Sequence, residues 1–434
     1  MSGQMVTVLA GLILCYALVA KRMSYANVTA PMASTAAGLI VFSGRSVDVE
    51  AEAVRTLAEL ALVIILFHDA STVRVGQLRR DPMIPIRLLA IGFPLALLAT
   101  YLTTWAIVPG VGIAGALLIA AAITPTDAGL GAPTVLNPAV PLRVRRALNV
   151  ESGLNDGLAT PVVLFALSML AEHEREPVPK LVSVGAAPVL LALLCAVVGG
   201  LLTAWAMDLS RERSLSGDRG RQIATLALPV LLFGVANLLG ANVFIAAFVG
   251  GLVFGAASTT VAAEHETSEL LETSADLLGF VVWFIFGGLL LEVFHHGFQW
   301  QWVVLAVLAL TVLRIGPVAL SMIGTGLDWR TVAFLGWFGP RGLATIVFGL
   351  LTFEELADES PDITAITGVL AVTVLISVFA HGLSAGPLSR AYGRSVEATG
   401  SEAGAGPSHR DGPLLTRGRF QLRDPHRAWR PPLR

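Results

Sequence analysis

Between Ile119 and Ala171 the chain carries three acids inside two apolar segments, Asp127 in the first and Glu151 and Asp156 in the second. Ionisable groups at such depth are costly in a bilayer, and where several are kept together they point to an ion or proton pathway. The first segment also contains Thr124-Pro125-Thr126-Asp127, with Gly129, Gly131 and Pro133 close behind, a composition that interrupts a helix. An interruption frees carbonyls on one side of the break and N–H groups on the other, and both can meet ions at mid-membrane. In the second segment Ser152 and Asp156 are one helical turn apart, as are Glu151 and Asn155, so the four form adjoining stripes on one side of the helix.

A carboxylate, a hydroxyl one turn away and the carbonyls of a facing break are the hard oxygen ligands with which an alkali cation replaces its water. Asp156 is the candidate exchanging carboxylate, with Asp127, Ser152 and Thr126 beside it. Ser152 and Asn155 serve equally well as interhelical hydrogen-bonding groups, so ligation and support both stand for them. Thr126 or Asp127 can cap the N–H groups of the second half-helix, which is compatible with holding an ion. A second Gly/Pro interruption, Phe338-Gly339-Pro340-Arg341-Gly342, places Arg341 beside it. Arg341 can offset the negative end of a half-helix, pair with Glu151, or do both, and a structural role is the reading taken for Glu151 and Arg341. Asp69, next to His68, either lines an inner funnel or reaches the interface. Arg314 and His381 lie deep enough in apolar segments for buried pairing.

The elements that must position these residues follow from composition. Of 434 residues 55% are hydrophobic and only 14% charged, which excludes a soluble domain and predicts an all-α polytopic membrane protein. Windows of about twenty apolar residues mark about thirteen spans. The fifth, near Val111 to Leu136, and the twelfth, near Val332 to Phe353, carry the two interruptions. They are seven spans apart and so run oppositely through the bilayer, as an inverted-topology repeat of spans 1–6 and 8–13 requires. Two ordinary proline kinks are the alternative.

Loops after odd-numbered spans carry Lys21/Arg22, Arg74/Arg79/Arg80, Arg143/Arg145/Arg146 and Arg211/Arg213/Arg219/Arg221, which assigns them to the cytoplasm and the N-terminus to the outside. The opposite loops hold Asp48/Glu50/Glu52, Glu172/Glu174/Glu176 and Glu354/Glu355/Asp358/Glu359. One segment, Glu264 to Glu272, is acidic although the count places it inside. Residues 1–394 read as the membrane domain. Apolar periodicity stops near Ser395, so 395–434 read as a disordered cytoplasmic tail. Both cysteines, Cys15 and Cys195, lie in apolar segments without metal-ligand spacing. No cofactor and no nucleic-acid partner is expected, only the lipid bilayer and the transported ions.

Three strings, in their order and spacing, resemble the NhaP and NHE-like branch of the cation:proton antiporter superfamily. Thr126-Asp127 is similar to its Thr-Asp-Pro motif, with Ala128 in place of the proline. Glu151-Ser152-Gly153-Leu154-Asn155-Asp156 is similar to its Glu-Ser-x-x-Asn-Asp, and Gly339-Pro340-Arg341-Gly342 to its Gly-x-Arg-Gly. The resemblance covers about Leu57 to Tyr392. It implies a homodimer of 13-helix protomers in the plasma (inner) membrane. Each would have a mobile core from spans 4–6 and 11–13, about 83–171 and 300–390, and an interface domain from spans 1–3 and 7–10. It implies exchange of sodium or potassium for protons at Asp156, aided by Asp127, Ser152 and the Thr126 backbone. It further implies that Asn155 and a Glu151/Arg341 pair hold the site, and that exchange is electroneutral. A cation channel or uniporter, an anion transporter and, last, an intramembrane aspartyl protease using Asp127 and Asp156 are the rival readings.

Overall fold

The computed structural model describes residues 3–43, 51–73, 81–108, 110–172, 180–295, 297–356 and 362–399. Asp48, Glu50, Arg74, Arg79, Arg80, Glu174, Glu176, Asp358, Glu359 and everything beyond residue 399 lie outside them. All regular structure among the described residues is helical, because a backbone in hydrocarbon must satisfy its own N–H and C=O groups. Among the described residues nine helices are long and apolar enough to cross a bilayer, and Ala30–Phe42, Val243–Ala257 and Leu343–Phe353 are shorter apolar helices. Starts are set by side-chain caps where the chain supplies them. Asn242 accepts from the N–H groups of Phe244 and Ile245, and Asp328 from that of Thr331.

The helices meet through small residues. Gly251 and Gly255, one turn apart on Val243–Ala257, lie against the carbonyls of Phe67 and Ser71 on Ala51–Ser71, and a Cβ at either would overlap that backbone. Gly38 and Gly287 bring Ala30–Phe42 equally close to Glu269–His295. Lipid is as apolar as a leucine side chain, so close dispersion contact rather than a hydrophobic gain holds such pairs together.

Polar contacts join the helix ends that the loop charges assign to one face. Arg143 grips Asp81 through Nε at 2.7 Å and Nη2 at 3.1 Å, and Arg87 donates to the carbonyls of Ser321 and Ile323. Arg330 reaches Ser395, while Glu264 accepts from Arg211 at 2.8 Å and Arg221 at 3.2 Å. Glu264, in the acidic segment that breaks the charge pattern, thus pairs with arginines of neighbouring helix ends. The solvent-exposed pairs among these add little stability, but they fix which ends lie together.

Two boundaries differ from expectation. Arg143, Arg145 and Arg146 form the opening turns of Leu142–Glu172 rather than a loop. The last helix, Asp362–Thr399, runs past Ser395, so the described chain is still helical where the tail was expected to begin. Two spans are also irregular where neither sequence interruption lies. Leu88–Gly92 is a π turn, in which Phe93 N–H bonds Leu88 O, and Pro94 immediately after has no N–H with which to continue the α register. Thr311, at φ −120° and ψ −92°, separates Trp300–Leu310 from Val312–Ser321.

Candidate ion-binding site

The first break lies between Gly112–Ile123 and Ala128–Val135, and the second between Trp329–Trp337 and Leu343–Glu355. They touch, and each supplies what the other lacks. Asp127 is the N-cap of Ala128–Val135, its Oδ1 accepting from Leu130 N–H at 2.8 Å. Its Oδ2 accepts at 2.8 Å from Leu343 N–H, the first residue of the facing half-helix. One carboxylate thus stands at the positive ends of two half-helices, where a negative charge is most favoured. In return Asp127 N–H donates to Pro340 O at 2.8 Å, and the Thr345 hydroxyl takes Ala122 O, a carbonyl that an unbroken helix would have bonded to residue 126.

Gly342 makes the double cap possible, because a Cβ there would run into the Asp127 carboxylate. Its φ of −151° lies outside the left-handed region, and the need for glycine here is one of space. Gly342→Ala is therefore expected to push Asp127 off Leu343 and cost about 1–3 kcal/mol of stability. Thermal unfolding in detergent checks this, and an unchanged Tm would contradict it.

Against this junction lies the polar stripe of Leu142–Glu172. Ser152 Oγ and Thr126 Oγ1 are 2.8 Å apart, and Asn155 Nδ2 donates to Thr126 Oγ1 at 2.7 Å. Asp156, next in sequence to Asn155 and one turn from Ser152, is buried together with all three. Ser152, Thr126 and Asn155 are therefore brought together as the spacing predicts, Asp127 adjoins them through Thr126, and Asp156 lies buried on the same helix one turn from Ser152.

Glu151 corrects an expectation. Its partner is Arg314, not Arg341: Nη1 and Nη2 donate to the two carboxylate oxygens at 2.5 and 2.8 Å, with both side chains almost fully enclosed. The planar guanidinium matches the carboxylate in a two-point fork, the geometry that best offsets burial of both charges. The sequence marks Arg314 only as a buried arginine. Nothing in it marks the Thr311 break that precedes the arginine by less than a turn.

Arg341 instead serves freed carbonyls. It donates to Gly339 O at 3.0 Å within its own break and to Ala309 O at 3.4 Å, two residues before Thr311. The reading of Arg341 as a counter to half-helix C-termini fits; the pairing with Glu151 does not. Its backbone N–H donates to Ser377 Oγ at 2.6 Å. His381, buried beside Ser377, has Nε2 2.9 Å from the carbonyl of Trp337, the last residue of Trp329–Trp337. Ser377 and His381 thereby hold both edges of the second break, a role the sequence did not single out.

The same acidic helix turns glycines to its other neighbours. Gly153 lies on the carbonyl of Asp69, and Gly157 on the ring of Phe248. Asp69 is buried, 3.0 Å from His68 Nδ1, and its backbone abuts the residue following Ser152.

What this assembly offers is a buried cluster of carboxylate, hydroxyl and amide groups at the meeting of two interrupted helices. Residues 7–391 match the family described as sodium/hydrogen exchanger, transmembrane. The chain belongs to that family. Among sodium/hydrogen exchanger relatives it is 25% identical over 314 residues to a Na(+)/H(+) antiporter of Schizosaccharomyces pombe, covering 64% of this chain and 65% of that protein. It is 26% identical over 286 residues to the Na(+)/H(+) antiporter NhaP of Pseudomonas aeruginosa, covering 63% and 65%. The chain therefore spans a little under two thirds of the length of these exchanger relatives. The structure of the sodium proton antiporter MjNhaP1 from Methanocaldococcus jannaschii superposes with a TM-score of 0.69 at 21% identity, over 88% of this chain and 97% of that one. That likeness establishes the exchanger fold.

Proposed function

We propose that the chain exchanges a monovalent alkali cation, sodium or potassium, for a proton across the membrane, electroneutrally and by alternating access. Asp156 carries either one. The observation that carries this reading is the enclosed junction of Thr126, Ser152 and Asn155 at the two capped breaks, on the helix that also carries the buried Asp156. Membership of the sodium/hydrogen exchanger family supports it.

Loaded with a cation or a proton the Asp156 carboxylate is neutralised and crosses with its surroundings; empty and ionised it crosses poorly, because a bare charge is expensive in low dielectric. The moving part is the core of spans 4–6 and 11–13, which slides against spans 1–3 and 7–10. The protein is a homodimer in the plasma (inner) membrane, with thirteen crossings per protomer, its N-terminus outside and the arginine-rich face in the cytoplasm. Asp69 and Gly153 lie where core and interface domain meet, which suits an inner funnel ending at Ser152. An anion carrier is disfavoured, since the half-helix amides that would receive an anion already donate to Asp127.

Two measurements test the proposal in liposomes holding the purified protein and a pH dye. Because proton and cation compete for one group, the apparent affinity for the cation is expected to fall about tenfold per unit as pH drops through the acidic limb of the profile; a pH-independent affinity would refute competition. Replacing chloride by gluconate is expected to leave the flux unchanged, and a flux that follows chloride would establish the anion reading instead.

A further inference from the structure

The second break gives up one helical hydrogen bond whose two halves can be followed. In an unbroken helix Arg341 N–H would donate to Trp337 O, four residues back. Pro340 stands between them, without an N–H of its own and with a ring that resists an α turn. Phe338, at φ −82° and ψ 65°, instead folds an inverse γ turn in which Gly339 N–H takes one lone pair of Trp337 O at 2.8 Å. That leaves the other lone pair of Trp337 O and the N–H of Arg341 to be met by side chains, inside a span where an unmet backbone group is costly.

Two residues of Asp362–Thr399, one turn apart, meet them. Ser377 Oγ accepts from Arg341 N–H at 2.6 Å, and His381 Nε2 lies 2.9 Å from Trp337 O. A carbonyl oxygen has no hydrogen to give, so Nε2 is assigned as the ring nitrogen that carries one. Nδ1 then rests against Ser377 itself, 3.2 Å from Oγ and 3.0 Å from the carbonyl. With the Ser377 hydroxyl hydrogen turned to Nδ1, a continuous chain runs from Arg341 N–H through Ser377 and the imidazole to Trp337 O. It spans the gap at which the backbone bond is missing. Both residues are enclosed, at 0% and 1% exposure, so solvent does not compete for these bonds. Trp337 is tied to the same helix a second time, its Nε1 donating to Ser384 Oγ at 3.0 Å and its ring 5.2 Å from that of His381.

What the chain holds apart matters at Asp127. Pro340 O accepts from Asp127 N–H and Leu343 N–H donates to its carboxylate, so the contacts of Asp127 lie within or beside the stretch whose ends are fixed. Were Arg341 N–H to close on Trp337 O across Pro340, both would turn with the backbone.

We propose that His381 and Ser377 are positioning residues for exchange, a side-chain stand-in for the lost bond from 341 to 337 that keeps residues 338–342 unwound in the geometry Asp127 needs. This rests on cation exchange at Asp156 being the activity. Neither residue is a ligand of the transported ion. They act through the second break, and so set how fast the loaded site crosses rather than how tightly it binds.

The experiment compares the full chain in liposomes with His381→Leu, His381→Gln, Ser377→Ala and the double variant His381→Leu with Ser377→Ala. It reads apparent cation KM, maximal rate per folded molecule and Tm. His381→Leu fills the space without a donor, whereas His381→Gln returns an amide N–H near the position of Nε2. Loss of one buried hydrogen bond from the working geometry predicts a maximal rate about tenfold lower in His381→Leu, a cation KM within about twofold of wild type, and recovery of most of the rate in His381→Gln. Because both residues serve one missing bond, the double variant is expected to be no slower than the slower single one. Amide hydrogen exchange over residues 338–343 needs neither transport nor His381→Leu, and it is expected to quicken in Ser377→Ala, which strips the partner from Arg341 N–H. A general packing role predicts instead that His381→Gln fails as fully as His381→Leu and that the losses add, and that result overturns the proposal. So does a raised KM at unchanged rate, or unchanged hydrogen exchange in Ser377→Ala. If the wild type itself shows no cation-driven proton flux, the exchange reading has failed; if it exchanges and His381→Leu keeps the wild-type rate, this inference alone has failed.

Discussion

Asp156→Asn is expected to abolish cation-dependent proton flux, leaving liposomes that carry the variant indistinguishable from protein-free ones. The substitution preserves volume and leaves an amide that can still hydrogen-bond, so the junction of Thr126, Ser152 and Asn155 has no reason to come apart. What it removes is the one property the cycle needs, a group that is charged when empty and neutralised by a metal ion or a proton. An amide binds no proton at working pH and offers the cation no counter-charge. The site therefore loses both partners at once rather than favouring one of them. Asp156→Glu, which keeps the charge on a longer arm, is expected to retain some exchange with weakened cation affinity, because ligand geometry and not titratability has changed. Alkali pulses on dye-loaded vesicles read both variants. Exchange by Asp156→Asn at more than about a tenth of the wild-type rate would remove Asp156 from the role of carrier, and attention would move to Asp127, the other acid at the junction.

How much of this was legible beforehand can be judged residue by residue. Apolar runs announce helices because a bilayer leaves the backbone no other choice, and Thr124-Pro125 and Gly339-Pro340 announce breaks because proline cannot donate an N–H. The stripe of Ser152, Asn155 and Asp156 follows from helical geometry alone. Contacts between distant segments are another matter. Two arginines, Arg314 and Arg341, were equally deep and equally able to meet Glu151, and nothing local distinguishes them. The choice is made by Thr311, where the helix breaks without glycine or proline and leaves the Ala309 carbonyl to Arg341. With Arg341 bonded to two carbonyls, Arg314 is the guanidinium that remains for Glu151. The capping of a first half-helix by Asp127 could be anticipated from its place after the break. Its second cap, on Leu343, depends on how the two breaks pack and has no signature in either string.

The Glu151–Arg314 pair then yields the largest expected effect on stability. Both groups are enclosed, at 1% and 3% exposure of their side chains, and bonded at two points. Removing one partner leaves the other charged, buried and unanswered, which costs about 3–5 kcal/mol in comparable sites. Arg314→Met is expected to lower the Tm by that route, and Glu151→Gln to do so less, since an amide can still accept one guanidinium bond. The double variant Glu151→Leu with Arg314→Met removes both desolvated charges together and is expected to recover most of the loss, because a buried pair can break even against apolar side chains of similar size. Function should not recover with it. Arg314 also lies against Gly339, whose Cβ position approaches the Arg314 side chain and the Thr126 methyl, so the pair sets the spacing between the second break and the residue that anchors Asn155. A double-mutant cycle on unfolding, run beside transport on the same samples, separates the two contributions. Additive destabilisation with no recovery would mean that the arginine and the glutamate act independently, and the pair would lose its place as the support of the site.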